Sequence, residues 1–171
     1  MKQKFHLWIV HLLFSIILSD KIESMKKKHI YLILLILWMT LIFCLSNQPA
    51  SDSSNLSNGL LNRILYILNI QVNPQLKEFL EKFIRKLAHF VEYFVLGLLM
   101  LMTLKGYKVK NAYLVAFILC VIYASSDEFH QSFVLNRYAS VFDVLLDSSG
   151  SFLAIFFSNL IDNKCCQGKK H

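Results

Sequence analysis

Four stretches of the chain are dominated by apolar side chains, at 30–45, 86–104, 112–126 and 141–161, and short basic or polar connections separate them. At 1.5 Å per residue, the longer of these stretches match the ~30 Å hydrocarbon core of a bilayer as helices. Between the first and second, the polar run SNQPASDSSNLSNG leads into two pieces with helical periodicity. In LLNRILYILNI, Leu61, Ile64, Leu65 and Leu68 fall on one face, and in PQLKEFLEKFIRK so do Leu76, Phe79, Leu80, Phe83 and Leu87. Asn73 followed by Pro74 is a helix start, with Asn as cap and Pro at the first position. Such a stripe suits a helix lying in the membrane interface, and equally one packed on the bundle. The pattern predicts an all-α, integral membrane four-helix bundle with an amphipathic interfacial helical segment between spans 1 and 2.

Ahead of the first span, FHLWIVHLLFSIIL (5–18) is apolar but reaches only roughly 21 Å as a helix. Met25 opens MKKKHIYLILLILWMTLIFCLS, a start and an anchor in one. Residues 1–24 therefore read as an upstream extension or a weak hydrophobic segment, and 25–171 as the membrane domain. Lysines flank the spans at 26–28, in KGYKVK (105–110), and at 164, 169 and 170. By the positive-inside rule, both termini lie in the cytoplasm. One connection strains that rule: Arg63, Lys77, Lys82, Arg85 and Lys86 fall on the outer side. They either pair with Glu78, Glu81 and later carboxylates or face an anionic ligand.

Composition agrees with a membrane protein. Of 171 residues, 56% are hydrophobic and 17% charged, against about 45–50% and 25% in soluble domains. The net charge of +7 is accounted for by topogenic lysines. They form no stripe with interleaved aromatics, which argues against nucleic acid as a partner. Cys44 and Cys120 lie in apolar runs as small core residues, and Cys165 and Cys166 are adjacent near the C-terminus. None has zinc or redox spacing, so no disulfide and no cofactor is expected. A divalent metal is the weaker alternative, since D-E-x-H at 127–130 is not a standard ligand spacing.

The candidate chemistry lies in one layer. Span 2 enters from outside at Lys86, putting His89 and Glu92 about 5–9 Å down, and Asp143 and Asp147 on span 4 lie about 5–10 Å down. Span 3 leaves the membrane at the same level through SSDEFHQSF (125–133). A charged side chain within a span is costly and normally faces the bundle interior or a wet cavity. This coincidence makes His89, Glu92, Asp127, Glu128, His130, Asp143 and Asp147 candidate catalytic residues, and Lys86, Tyr93, Gln131 and Arg137 candidate binding residues. Plainer roles stand beside these. Asp143 completes a capping box with Ser140 (S-x-x-D), Arg137 suits a headgroup anchor, His89 alone suits an interfacial position, and Gly150 marks close helix packing.

Three stretches in this order, LSNQP (45–49), RKLAHFVEYFVLG (85–97) and SSDEFHQSFVLNRYASVFDVLLDSSG (125–150), resemble the VanZ-like family of small bacterial membrane proteins. The resemblance covers about 25–161. Leu135-Asn136 stands where the family often has Pro-Gly before the arginine. The family takes its name from a protein associated with teicoplanin resistance, so the resemblance implies a bacterial cell membrane, a multi-pass fold and a surface site. The residues leave three classes open. One is an envelope enzyme, with His89 or His130 as base and Lys86 and Arg137 holding a phosphate or carboxylate of a lipid-linked or cell-wall substrate. Another is a membrane protein that binds or shields such a ligand without turnover. The third is a structural polar network that fixes helix packing.

Overall fold

The computed structural model describes residues 24–134 and 137–167. The run at 5–18, the Leu135-Asn136 pair and the side chains of Cys165 and Cys166 lie outside the described residues. Five helices make up the described chain: α1 (Ser24–Ser46), α2 (Ala50–Leu68), α3 (Pro74–Gly106), α4 (Ala112–Gln131) and α5 (Val141–Gln167). There is no strand among the described residues. Helices α1, α3, α4 and α5 are each long and apolar enough to cross a membrane, as the four apolar stretches predict.

The amphipathic segment divides differently from the sequence expectation. Its second half is not a separate helix. It is the first part of α3, whose 33 residues extend roughly 50 Å, well beyond the ~30 Å hydrocarbon core. The predicted start holds: Asn73 Oδ1 accepts the Leu76 N–H at 2.7 Å, with Pro74 in the first turn. Its first half is α2, which ends where Asn69 takes the left-handed conformation at φ 53°, a cap that Asn tolerates. Helix α2 buries Leu61 and Ser57 toward the bundle and leaves Leu60, Tyr66, Ile67 and Leu68 exposed. It is therefore a packed helix that also carries an apolar outer face.

Helix α3 sits in the middle and packs against each of the other four. Leu35, Trp38 and Ile42 of α1, Tyr93, Leu96 and Leu99 of α3, Ala116, Cys120 and Ala124 of α4, and Ile155 of α5 form the core. Cys44, expected in the core, is exposed, because its helical phase turns it outward with Leu37 and Phe43. The tightest crossing is between α3 and α5. A Cβ on Gly97 would stand 2.9 Å from the Ser151 Cα, and one on Gly150 would collide with the Phe90 carbonyl oxygen. Small residues let two helix backbones touch in this way, which matters where lipid gives no hydrophobic drive for helices to associate. Side chains then tie one helix to the backbone of the next. Ser151 Oγ donates to the Tyr93 carbonyl at 3.1 Å, Trp38 Nε1 to that of Glu92 at 2.9 Å, and Tyr123 Oη to that of Met39 at 2.7 Å. At one end of the bundle, Lys105 and Tyr113 both meet Asp162, joining α3, α4 and α5.

Candidate functional site

At the opposite end, the last turn of α1, the last turns of α4, the first turns of α5 and residues 82–93 of α3 come together. A cavity of about 280 Å³ opens among them. Lys86, His89, Glu128, Gln131, Arg137, Asp143 and Asp147 line it, so seven of the eleven sequence candidates share one space. Lys82, Arg85, Tyr138 and Leu146 complete the wall.

The α3 wall follows from helical spacing, since residues 82, 85, 86 and 89 fall on one face. The strained cations of the sequence resolve in two ways. Lys82 pairs with Glu78 at 2.7 Å along the helix, and Lys86 pairs with Asp143 of α5 while lying over the Phe142 ring at 5.2 Å. Arg85 and Arg137 behave differently. Arg85 Nη1 donates to Ser54 Oγ and Arg137 Nη1 to Gln131 Oε1, both at 2.9 Å. Neither makes an ion pair among the described residues. Burial, and then repulsion from Arg85, hold the Arg137 guanidinium below its ordinary pKa.

The capping box expected at Ser140 is built otherwise. The Ser140 N–H goes to Glu128 Oε2 at 2.9 Å, so the carboxylate over the α5 N-terminus comes from α4. Asp143, freed of that role, meets Lys86.

Behind the cavity wall lies a buried layer. Asp127, 4% exposed, accepts three hydrogen bonds at Oδ2: from Ser46 Oγ at 2.7 Å, from Gln131 Nε2 at 3.1 Å and from Tyr93 Oη at 3.3 Å. Gln131 Nε2 also reaches Ser46 Oγ at 3.1 Å. Gln131 thus spans from the buried carboxylate to the Arg137 guanidinium. Ser46 is the one member of this layer that the sequence candidates omit. It lies in the LSNQP stretch, but a single serine at a span end carries no signal until its partner from α4 is known.

Glu92, Tyr93, Asp127 and His130 do not line the cavity. Asp127 and Tyr93 belong to the buried layer. His130, a candidate base in the sequence, stacks its ring on Phe43 at 4.7 Å between centroids, and its Nε2 has no partner. The reason is helical phase: Glu128 and Gln131 present one face of α4 to the cavity, and at about 100° per residue His130 turns toward α1. Glu92 stands behind His89, with Oε2 at 3.4 Å from Nδ1. That is ion-pair distance without hydrogen-bond alignment, so Nδ1 has no hydrogen-bond partner. Asp147, 2% exposed, forms the cavity floor, and its Oδ1 is likewise unpartnered. Among the described residues, no three His, Cys, Asp or Glu side chains are grouped as metal ligands.

A family model described as VanZ/LLP1 matches residues 31–162. No curated protein and no solved structure matches the chain.

Proposed function

The chain belongs to the VanZ/LLP1 family, and we propose that this multi-pass membrane protein holds the anionic group of a lipid-linked or cell-envelope ligand in its cavity. The observation that carries this reading is the pair of cavity guanidiniums, Arg85 and Arg137, whose hydrogen-bond partners are neutral. Two like charges facing one space are unfavourable until an anion lies between them. A guanidinium also suits phosphate or carboxylate by its fork of parallel donors. Of the four cations that line the cavity, Lys82 pairs with Glu78 and Lys86 with Asp143, which leaves the two guanidiniums for a ligand. Membrane lipid is the environment from which such a ligand is drawn. The lysines at 27, 28, 105, 108 and 110 cluster at the far end of the bundle. By the positive-inside rule, that cluster supports cytoplasmic termini and a cavity on the outer face of a bacterial cell membrane.

The name-giving relative's association with teicoplanin extends the proposal to glycopeptide resistance. The ligand bound here would be one that such antibiotics engage at the surface. A second reading has one observation in its favour. His89 faces the cavity with the Glu92 carboxylate at ion-pair distance from its Nδ1, a pair that becomes a general base and its orienting carboxylate once the ring turns into hydrogen-bond alignment. In that case the same anion is positioned for acid–base chemistry at His89.

Cells expressing the chain are expected to tolerate more teicoplanin than cells expressing Arg85→Gln/Arg137→Gln at equal membrane abundance. Equal tolerance would separate the cavity from resistance. Sidedness has its own check in a chain whose native cysteines are replaced. Tyr138→Cys should react with an impermeant maleimide in intact cells, and Lys108→Cys only after permeabilisation. The reverse pattern would put the cavity in the cytoplasm.

A further inference from the structure

We infer that the ligand carries a hydrogen-bond donor, an ammonium or a hydroxyl, beside its anionic group, and that Asp147 receives it. This rests on the anion-holding role of Arg85 and Arg137 proposed above. The cavity is polarised. Its rim carries Arg85 and Arg137, whereas its floor is a carboxylate that is 2% exposed and whose Oδ1 meets no donor from the protein. Glu92, Asp127 and Glu128 lie within electrostatic reach of Asp147, and none of them can donate a hydrogen bond as a carboxylate. His89 is the neighbour of opposite tendency, and it lies within reach of Asp147 and Arg137 alike.

A buried carboxylate left without a donor is among the costlier arrangements in a fold. It persists where function requires it, and the neighbouring carboxylates of α4 and α5 each have at least one donor. Asp127 has three, all at Oδ2, with its Oδ1 unpartnered like that of Asp147; Glu128 has the Ser140 N–H, and Asp143 has Lys86. Asp147 is the exception among them, and it is the one that closes the cavity. A bare anion would satisfy the rim and leave the Asp147 Oδ1 without a donor. A ligand with a donor next to its anion satisfies both. Space allows this: about 280 Å³ is the volume of roughly nine waters at ~30 Å³ each, enough for a phosphate and a short polar arm but below the usual range for a drug-sized molecule.

The test compares three soluble probes by isothermal titration against the purified full chain in a non-ionic detergent: methyl phosphate, phosphoethanolamine and glycerol 1-phosphate. The first offers only the anion, and the others add an ammonium or a hydroxyl. At least one donor-bearing probe is expected to bind about tenfold more tightly than methyl phosphate, as one hydrogen bond to a charged group allows. Whichever is tighter identifies the donor. In Asp147→Leu, which keeps much the same shape but has no acceptor, that preference should vanish, whatever happens to the affinity for methyl phosphate itself. Equal binding of all three probes to the wild-type chain would overturn the inference and leave the anion site standing. A preference that survives Asp147→Leu would overturn the role of Asp147. Absence of binding by every probe would overturn the anion site and this inference together.

Discussion

Gly150→Ala is expected to lower the melting temperature of the detergent-solubilised protein sharply, against the ordinary effect of that substitution. In a helix interior, alanine is favoured over glycine by up to about 1 kcal/mol. At Gly150 the added methyl would run into the Phe90 carbonyl oxygen, with the Phe94 backbone nitrogen 3.3 Å away. Backbone cannot rotate aside as a side chain would, so α3 and α5 must separate along their crossing. Overpacking costs typically about 1–3 kcal/mol and sometimes more, and the rigid partner puts this site at the upper end. The separation also spreads to the cavity, since His89 and Asp147 lie within a turn of the crossing on its two helices. Gly59 is the control, because a methyl added there would meet nothing within 4 Å. Gly59→Ala should leave stability unchanged or raise it. A Gly150→Ala protein that melts at or above wild type would show that the two helices are not in backbone contact.

Asp127→Ala should be the second large loss. The Oδ2 atom is the shared acceptor of Ser46, Tyr93 and Gln131, which come from α1, α3 and α4. Removing it strands three buried donors, each costing about 1–3 kcal/mol when left unmade. A combined destabilisation on the order of 3 kcal/mol or more follows. It also frees Gln131, and with it the hydrogen bond that holds Arg137. Asp127→Asn keeps an acceptor oxygen in the same place and should lose far less. Thermal melts of the two variants decide this. If Asn is as damaging as Ala, the negative charge of Asp127 matters more than its acceptor geometry.

The four spans are legible in the sequence because lipid imposes one demand on all of them, and hydropathy registers that demand directly. The Asn73 cap is legible because it is local. So is the gathering of polar groups in one layer, since helix rise converts position into depth. Partner choice across helices is not legible. The S-x-x-D spacing at 140–143 suggests a self-contained cap, yet Glu128 arrives from another helix and takes the Ser140 N–H, while Asp143 leaves for Lys86. His130 and Gln131 are neighbours in sequence, and a single step of helical phase sends one to Phe43 and the other to Asp127 and Arg137. The break expected between the amphipathic segment and span 2 reflects a change of surroundings along one continuous helix. Its first part, PQLKEFLEKFIRK, alternates charged and apolar residues and its remainder is almost wholly apolar, so hydropathy changes along it while the backbone does not.

The central claim is that Arg85 and Arg137 hold an anion drawn from the membrane. The most direct measurement is mass spectrometry of the lipids retained by the full chain and by Arg85→Gln/Arg137→Gln, purified in parallel from the same membranes and detergent. The account predicts an anionic lipid or lipid-linked phosphate that stays with the wild-type protein through purification and is depleted from the variant. Two preparations that retain the same lipids in the same amounts would contradict it.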